Sequence, residues 1–531
     1  VFLPSLWGGV IFMFKELFKI NLEKKCNSII EKYNRRRRND AYKRNRLNKQ
    51  VINSNHRAIK RKYNNVLWKL HPQFNPFKVK NSINFYTEKI NHSVLTGKYE
   101  PITCVKIEIS KKGGGTRDIV IYTVVDSALN NTVYTILNNK VEFLLPNNIY
   151  SFRKKINAHT AIYEIHNYLK ENLLFYVGEF DLKSYYDNIS HDYILSICNN
   201  KLNMTYNDMK LIESILNVKI SAKDSYKDGF WYRNNKGIPQ GNTLSLLLAN
   251  IAFYEFDNYL INNNIFSSRF VDDILIISKN KKDIYLALDI LLKQCDDTGV
   301  NINMNKSHGL SIYTSNDWIE SKILGTHLPV KHSYSFLAHD VSGCTIDLSQ
   351  KRIKSIKNRV SKIIYDILIK YPKKYNSLNP NRYDSKLNID WDLVSCYNKL
   401  RNYIYGRGIS ENYLINALKK DYKSYIKPYS ALAFHPRVIS NIRVKELDGW
   451  LVDVMYRGLK ARKKYITNFT LPDYTKKELI TGTWYNKKKR MPLWMYKIET
   501  RMPSFYKSLR YVRKYHKEEG DIAFPSPYSS S

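Results

Sequence analysis

The run Arg269-Phe270-Val271-Asp272-Asp273-Ile274-Leu275-Ile276-Ile277 constrains this chain more than any other. Two adjacent carboxylates sit between an aromatic-ended lead-in and a stretch of β-branched and apolar residues. The pattern predicts a tight hairpin, with two buried strands as arms and Asp272 and Asp273 at its tip. Like charges repel, so a positive group is expected between these acids and a third one. Taken alone, the dipeptide also fits an Asp-Asp turn on a solvated sheet edge.

A second stretch argues against that plainer reading. Leu173-Leu174-Phe175-Tyr176-Val177-Gly178-Glu179-Phe180-Asp181-Leu182 reads as another apolar strand. It ends at an aspartate 91 positions before Asp272 (272 minus 181). Side by side, the two strands would make Asp181, Asp272 and Asp273 converge. Three carboxylates suit a pair of Mg2+ ions, one activating a hydroxyl and the other holding triphosphate oxygens.

Between them lies Lys236-Gly237-Ile238-Pro239-Gln240-Gly241-Asn242-Thr243-Leu244-Ser245, then an apolar helical run to Asp257. In order, the three segments resemble palm motifs A, B and C of reverse transcriptases. Asp181 matches the first metal aspartate. Phe270-Val271-Asp272-Asp273 matches the aromatic-x-Asp-Asp signature, with Phe where Tyr is more usual. The Gly-x-Pro-Gln-Gly core is intact, but the usual Ser-Pro-Leu-Ser-Pro is here Asn242-Thr243-Leu244-Ser245-Leu246.

The resemblance implies an α+β right-hand polymerase fold. Fingers, a palm with an antiparallel sheet and a helical thumb are expected, with a basic N-terminal extension and a helical C-terminal region. It implies RNA-directed DNA synthesis from dNTPs, with an RNA template and a DNA product. Two Mg2+ ions would be held by Asp181, Asp272, Asp273 and the Leu182 carbonyl. It further implies that Tyr186, five residues after Asp181, closes off the sugar 2′-position, with ordinary core as the alternative for Tyr185 or Tyr186. Gln240 would sit against the incoming nucleotide and template. Gly299–Lys306 resembles motif D, whose Lys306 would protonate the pyrophosphate, unless it is only a surface lysine. Tyr334–Val341 resembles motif E, the primer-grip hairpin, with Ala338 for the usual Gly.

Val105–Ser110 and Asp118–Tyr122 read as strands joined by Lys111-Lys112-Gly113-Gly114-Gly115-Thr116-Arg117. Glycine is scarce, 20 in all, so three in a row mark a tight turn or a close approach to a ligand. The segment resembles the fingers motif of group II intron and retron-type enzymes. Lys112, Gly114 and Arg117 fall on its fixed positions, and Arg117 would fold over the triphosphate. Asp118 replaces the usual Pro and puts a negative charge beside that arginine. Ser127 replaces an arginine in Thr123-Val124-Val125-Asp126-Ser127. Ile149-Tyr150-Ser151-Phe152-Arg153 resembles a further family segment, with Ser151 for Gly. His159 reads as structural.

Lys plus Arg outnumber Asp plus Glu by 86 to 47, a net charge of +39 that implies a polyanionic partner. Glu23–Lys62 carries 15 Lys/Arg against 3 acids, including Arg35-Arg36-Arg37-Arg38. That stretch fits either a phosphate-binding surface or a solvated basic helix or tail. The six cysteines are scattered without C-x-x-C spacing, as in a reducing cytoplasm. Val1–Phe14 is too short to span a bilayer, so no membrane partner is expected. Met13 offers a start, and residues Val1–Phe12 are expected to be vector or upstream translation.

The expected division is 1–99 basic extension, 100–345 fingers and palm, 346–385 thumb start and 386–531 helical thumb and C-terminal region. A basic amphipathic helix, Arg352 to Lys370, is expected to be capped by Ser349 and ended by Tyr371-Pro372, with Lys373–Lys386 as a linker. Lys460–Lys464 and Lys487–Arg490 read as solvated faces or nucleic-acid contacts. In length and unassigned ends the chain looks most like defence-associated (unknown-group, abortive-infection-like) reverse transcriptases. That resemblance implies a dedicated non-coding RNA partner. A retron or group II intron enzyme, or a polymerase-fold splicing cofactor without synthesis, is the alternative. A homo-oligomer is left open.

Overall fold

The computed structural model describes residues 11–51, 65–110, 114–315, 327–378, 382–384, 389–419, 425–467, 470–485 and 498–520. Two compact units interleave along the chain. One is Val1–Phe152 with Gly178–Gly309, and the other is Arg153–Val177 with Leu310–Ser531. The linear division expected from sequence does not follow this interleaving, because Leu174–Lys183 is one strand that runs through the boundary.

The first unit opens with the helix Ile11–Val51. Phe14, Phe18, Leu22 and Cys26 recur every fourth residue and are buried. That spacing makes one apolar stripe, which packs on the helix Val124–Val141. Beside the stripe, the Asn21 amide donates to Thr132 Oγ1 at 2.9 Å. Further along the helix, Tyr33 meets the rings of Trp68 and Phe77 at 4.8 and 5.9 Å. Past this point Arg35, Arg36, Arg37 and Arg38 are all exposed on a helix that continues. The basic stretch is therefore helical as far as Val51, and its remainder up to Asn64 lies outside the described residues.

The strands of this unit are β1 (Cys104–Ser110), β2 (Thr116–Ile121), β3 (Leu174–Lys183), β4 (Lys219–Ala222), β5 (Tyr232–Arg233), β6 (Phe266–Phe270), β7 (Asp273–Ser278) and β8 (Asn301–Ile302). One sheet has the order β2-β1-β4-β5, with β1 antiparallel to β2 and parallel to β4. Its small core is Cys104, Val120, Tyr122, Val218 and Ile220. In the palm sheet β7 lies between β3 and β6, and β8 pairs with the end of β3 through Leu182 and Ile302. Ile274–Ile277 on β7 are all buried, so this strand has covered faces on both sides and reads as a continuous apolar run.

The second unit holds β9 (Gly309–Thr314), β10 (Val330–Lys331) and a three-stranded meander of β11 (Tyr334–Phe336), β12 (His339–Val341) and β13 (Ile346–Leu348). Leu337 and Ala338 turn the first hairpin at φ 46° and 66°, so the position the family gives to glycine is left-handed here too. A two-stranded sheet pairs β14 (Tyr383–Asp384) with β15 (Ile389–Asp390), and the other regular elements described in this unit after β13 are helical. Ile353, Ile356, Val360 and Ile364 form one buried stripe, joined in the same core by Leu393, Leu400, Leu447 and Leu451.

Two expectations change here. The helix capped by Ser349 does not end at Tyr371-Pro372. It runs from Gln350 to Ile364, passes through a wider π turn at Tyr365–Ile369 and resumes from Lys370 to Tyr375. Pro372 has no N–H to give and its ring crowds the carbonyl four residues back. The wide turn just before it relieves that conflict. The helix stops at Asn376, φ 48°, so the first residues of the expected linker are helical.

A directional hydrogen-bond chain is buried in this unit. Arg352 Nε donates to His435 Nε2 at 3.1 Å, so His435 must donate through Nδ1 to His339 Nε2 at 2.9 Å. His339 Nδ1 then donates to the Leu337 carbonyl at 2.8 Å. Both imidazoles are neutral in this arrangement. Burial pushes His339 down to about 4 and His435 well below its ordinary value. Among the described residues, no helix is long and apolar enough to cross a membrane.

Candidate active site

The aspartate hairpin forms as its sequence suggests. Phe270 pairs with Asp273 across β6 and β7, which leaves Val271 and Asp272 as a two-residue tip. Val271 has φ 61°, a region costly for a β-branched side chain. Several neighbours hold it there. Its N–H donates to Ser151 Oγ at 3.3 Å, and its carbonyl accepts from Arg269 Nη1 at 3.3 Å. Arg269 is fully buried with Asp257, which accepts from its Nε and Nη2, and Nη2 also reaches the Asn250 carbonyl at 2.9 Å. Ser151 in turn donates to Asn250 Oδ1 at 2.6 Å. The segment Ile149–Ser151 runs parallel beside β6, with Tyr150 N–H on the Arg269 carbonyl.

Asp181 lies near the end of the adjacent strand. The next residue, Leu182, donates its N–H to the Asp272 carbonyl at 3.1 Å, locking the tip to β3. The Asp181 carboxylate accepts from Asn303 Nδ2 at 2.8 Å and meets Lys306 Nζ at 3.4 Å. Its backbone is gripped too, since Asn303 N–H and Ser307 Oγ both donate to the Asp181 carbonyl. The motif D segment thus sets the rotamer of this aspartate. Burial pushes Asp272 up from the ordinary carboxylate value. The Asp181 charge adds to that, while Lys306 and Arg117 counteract it. Lys306 lies against Asp181, and Arg117 lies within electrostatic reach of Asp272.

The expected convergence of three carboxylates is not seen. Among the described residues no three His, Cys, Asp or Glu side chains gather closely enough to hold a metal ion. The arrangement is an Asp181–Asp272 pair, with Asp273 one position beyond it.

The loop Gly237–Gly241 packs against two backbones at once. Ile238 N–H donates to the Tyr186 carbonyl and Gly237 N–H to the Ile189 carbonyl at 2.9 Å. A Cβ on Gly237 would lie 2.6 Å from the Asp187 carbonyl oxygen. Gly241, at φ 140°, passes so close to β2 that a Cβ would stand 2.1 Å from the Val120 oxygen. Val120 N–H donates to the Gln240 carbonyl at 2.7 Å, and the Gln240 side chain donates to Asp187 at 3.0 Å. Asn242 caps the following helix by accepting from Ser245 N–H at 2.8 Å. His191 and Asn234 both bond the Gly237 carbonyl, at 2.7 and 2.8 Å.

Of the paired tyrosines, Tyr185 is core, its hydroxyl donating to the Ala249 carbonyl at 2.6 Å. Tyr186 is only partly buried and lies within electrostatic reach of Asp272 and Arg117. Arg117 is exposed on β2, opposite Ile109. The neighbouring Asp118 does not neutralise it. Asp118 reaches Lys106 on β1 instead, at 2.6 Å, a diagonal cross-strand pair. Asp126 is buried, accepting from Tyr99 Oη at 2.8 Å, Thr123 Oγ1 at 2.7 Å and Ile102 N–H at 3.2 Å. Burial raises it to about 6. Lys112 lies outside the described residues.

Asp181, Asp272 and Lys306 are thus brought together, Arg117 and Tyr186 lie within electrostatic reach of Asp272, and Gln240 is bonded to Asp187 and to β2. The sequence reading missed Arg269, Asp257, Ser151, Asn250 and Asn303. Arg269 was in plain view beside the aspartates, and an arginine inside an otherwise apolar strand is a signal, because its charge must find a buried partner.

Residues 109–341 match the family model described as "Reverse transcriptase (RNA-dependent DNA polymerase)". A stretch of 176 residues is 30% identical to the "Group II intron-encoded protein LtrA" of Lactococcus lactis subsp. cremoris, covering 33% of this chain and 28% of that protein. Another of 175 residues is 27% identical to the "Putative COX1/OXI3 intron 1 protein" of Saccharomyces cerevisiae, covering 33% of this chain and 20% of that protein. The chain spans less than a third of either relative. Among solved structures, telomerase from Candida albicans with a fragment of telomeric RNA aligns over 74% of this chain and 65% of its own, at 12% identity and TM-score 0.38.

Proposed function

We propose that this chain is an RNA-directed DNA polymerase. The observation that carries the reading is the Asp181–Asp272 pair, Asp272 at a strained hairpin tip bonded to the strand of Asp181, with Lys306 on Asp181 and Arg117 and Tyr186 within electrostatic reach of Asp272. The carboxyl of Asp272 is raised because burial and the Asp181 charge outweigh its cationic neighbours. A divalent cation is the group such a pair fits. Asp181, Asp272 and the Leu182 carbonyl would hold Mg2+, which would acidify the attacking hydroxyl and offset triphosphate charge.

The protein's own groups do the rest. Arg117 draws in the anionic triphosphate, and Tyr186 presents a flat wall to the sugar. Gln240, fixed through its backbone to β2, supports the nascent base pair. Lys306 is positioned to give a proton to departing pyrophosphate. Lys112 belongs with Arg117 in this role by its place in the sequence.

The finer reading is a bacterial anti-phage defence enzyme acting in the cytoplasm, with an associated non-coding RNA as template or scaffold. Its support is the exposed arginine run on the N-terminal helix. A group II intron or retron-type role is the second reading, favoured by the names of the intron-encoded relatives. Primer extension on an RNA template tests the core proposal. Wild-type protein should incorporate dNTPs and Asp272→Asn should not, and equal incorporation by the two would overturn it. Sequencing of co-purified RNA separates the finer readings, since one defined non-coding species, rather than intron RNA, is expected.

A further inference from the structure

The far edge of the four-stranded sheet carries a feature the chemistry above does not use. Phe230, Trp231 and Tyr232, leading into and opening β5, are 71%, 49% and 51% exposed. Three consecutive large aromatics in water forgo substantial burial. They are not on a loose tip. Tyr226, earlier in the same hairpin, packs its ring on Phe74 at 6.0 Å and donates its hydroxyl to the Thr103 carbonyl at 3.0 Å. Glu100 ties both strands, meeting Lys219 on β4 at 3.6 Å and Arg233 on β5 at 3.9 Å.

Cations accompany the rings in the same hairpin. Lys219 Nζ stands 4.9 Å from the Trp231 ring centre, and Lys223 and Lys227 are exposed in the connecting turn. From Lys219 to Arg233 there are four basic residues against Asp224 and Asp228, a net of +2. Aromatic faces with interleaved cations match unpaired nucleotides, which offer base faces and phosphates together. Paired strands bury their base faces, and the net charge of +39 favours a polyanion over a neutral protein surface.

We propose that Phe230, Trp231 and Tyr232 form a stacking platform for the unpaired template RNA ahead of the site. The inference rests on reading that site as a template-directed polymerase. The sheet order is β2-β1-β4-β5, and Gln240 is bonded to β2. Three inter-strand steps of about 4.8 Å put the platform about 14 Å from β2. At about 3.4 Å per stacked nucleotide, that is roughly four nucleotides ahead of the templating base.

The test uses the full chain and synthetic RNA/DNA primer-templates. Phe230→Ala/Trp231→Ala/Tyr232→Ala should weaken binding of a template with a ten-nucleotide 5′ overhang by roughly 5- to 150-fold for each base no longer stacked. Binding of the blunt duplex should not change. Equal affinity for the overhang, or equal losses on both substrates, would overturn the platform. So would a change in self-association with RNA binding intact, which would mark a protein-binding patch. Cross-linking on wild-type protein avoids any folding defect. 4-Thiouridine three to five nucleotides ahead of the primer end should attach to the peptide holding residues 230–232, and attachment only elsewhere overturns the proposal. A wild-type protein that never extends primers would sink the polymerase reading, and the platform as a template site with it, whereas extension without overhang-dependent binding would overturn the platform alone.

Discussion

The guanidinium of Arg269 donates to the carbonyl of Val271, the residue that turns the aspartate tip at φ 61°. A buried ion pair with Asp257 thus backs a strained backbone next to the proposed chemistry. Arg269→Ala would strand the Asp257 charge, which costs about 3–5 kcal/mol. Urea denaturation is expected to show that loss. Ser151→Ala leaves Val271 N–H without its acceptor, so it should cost about 1–3 kcal/mol. A milder loss for Arg269→Ala than for Ser151→Ala would contradict this picture.

Gly241→Ala is expected to be inactive. The new Cβ would meet the Val120 carbonyl oxygen at 2.1 Å, a backbone atom with no side chain's freedom to move aside. Leu246→Ala in the next helix, whose side chain is only partly buried, serves as the tolerant comparison. Primer extension distinguishes the two, and full activity in Gly241→Ala would mean that β2 and the loop separate readily.

Tyr186→Ala should admit rNTPs, read as the ratio of rNTP to dNTP incorporation. Tyr185→Phe should leave that ratio alone, because the Tyr185 hydroxyl is spent on the Ala249 carbonyl inside the core. Unchanged selectivity in Tyr186→Ala would move the gate elsewhere.

Acid should act oppositely on two buried sites. Asp126 is raised from 3.8 to about 6, so the folded state holds its proton more tightly. Its contribution is greatest below about 4 and falls away as pH rises to about 6, on the order of 3 kcal/mol. His339 is lowered from 6.5 to about 4, so the unfolded chain takes up the proton first. Its contribution is complete above 6.5 and is lost as pH falls toward 4, again by roughly 3 kcal/mol. Hydrogen exchange across roughly pH 4 to 7 reads the two units separately. Asp126→Asn should flatten the slope in one and His339→Asn in the other. Slopes that survive both substitutions would show that other groups govern them.

Replacing Arg35–Arg38 with Gln should weaken RNA binding and reduce its salt dependence, by roughly 0.7–0.9 in log–log slope for each phosphate left unneutralised. Extension of a supplied primer should persist, as Asp181 and Asp272 are untouched. An unchanged affinity and slope would make the arginine run a solvated face.

The strands and the order of the motifs could be read directly, because alternation, apolar runs and glycine positions are local properties. Asp181 beside Asp272 was legible through two apolar strands that each carry an acid at one end. The Asn303 amide on Asp181 was not, since a short polar residue in a polar loop has no pattern of its own. The fate of Asp118 was misjudged from its neighbour in sequence, whereas strand pairing hands it to Lys106. Pro372 looked like a helix end because a proline conflicts with a regular turn, and a one-turn change of pitch beforehand is invisible in composition.

The N-terminal helix has one consequence for how a partner is held. Its last described ring contacts are at Tyr33, and Arg38 lies five residues on, about 7.5 Å along the axis at about 1.5 Å per residue. Charges on a floppy arm would sample a wide volume and dilute themselves. Charges on a continuous rod anchored at one end sweep almost none, so a polyanion gripped there is kept at a set offset from the anchor, as a bracket keeps a beam.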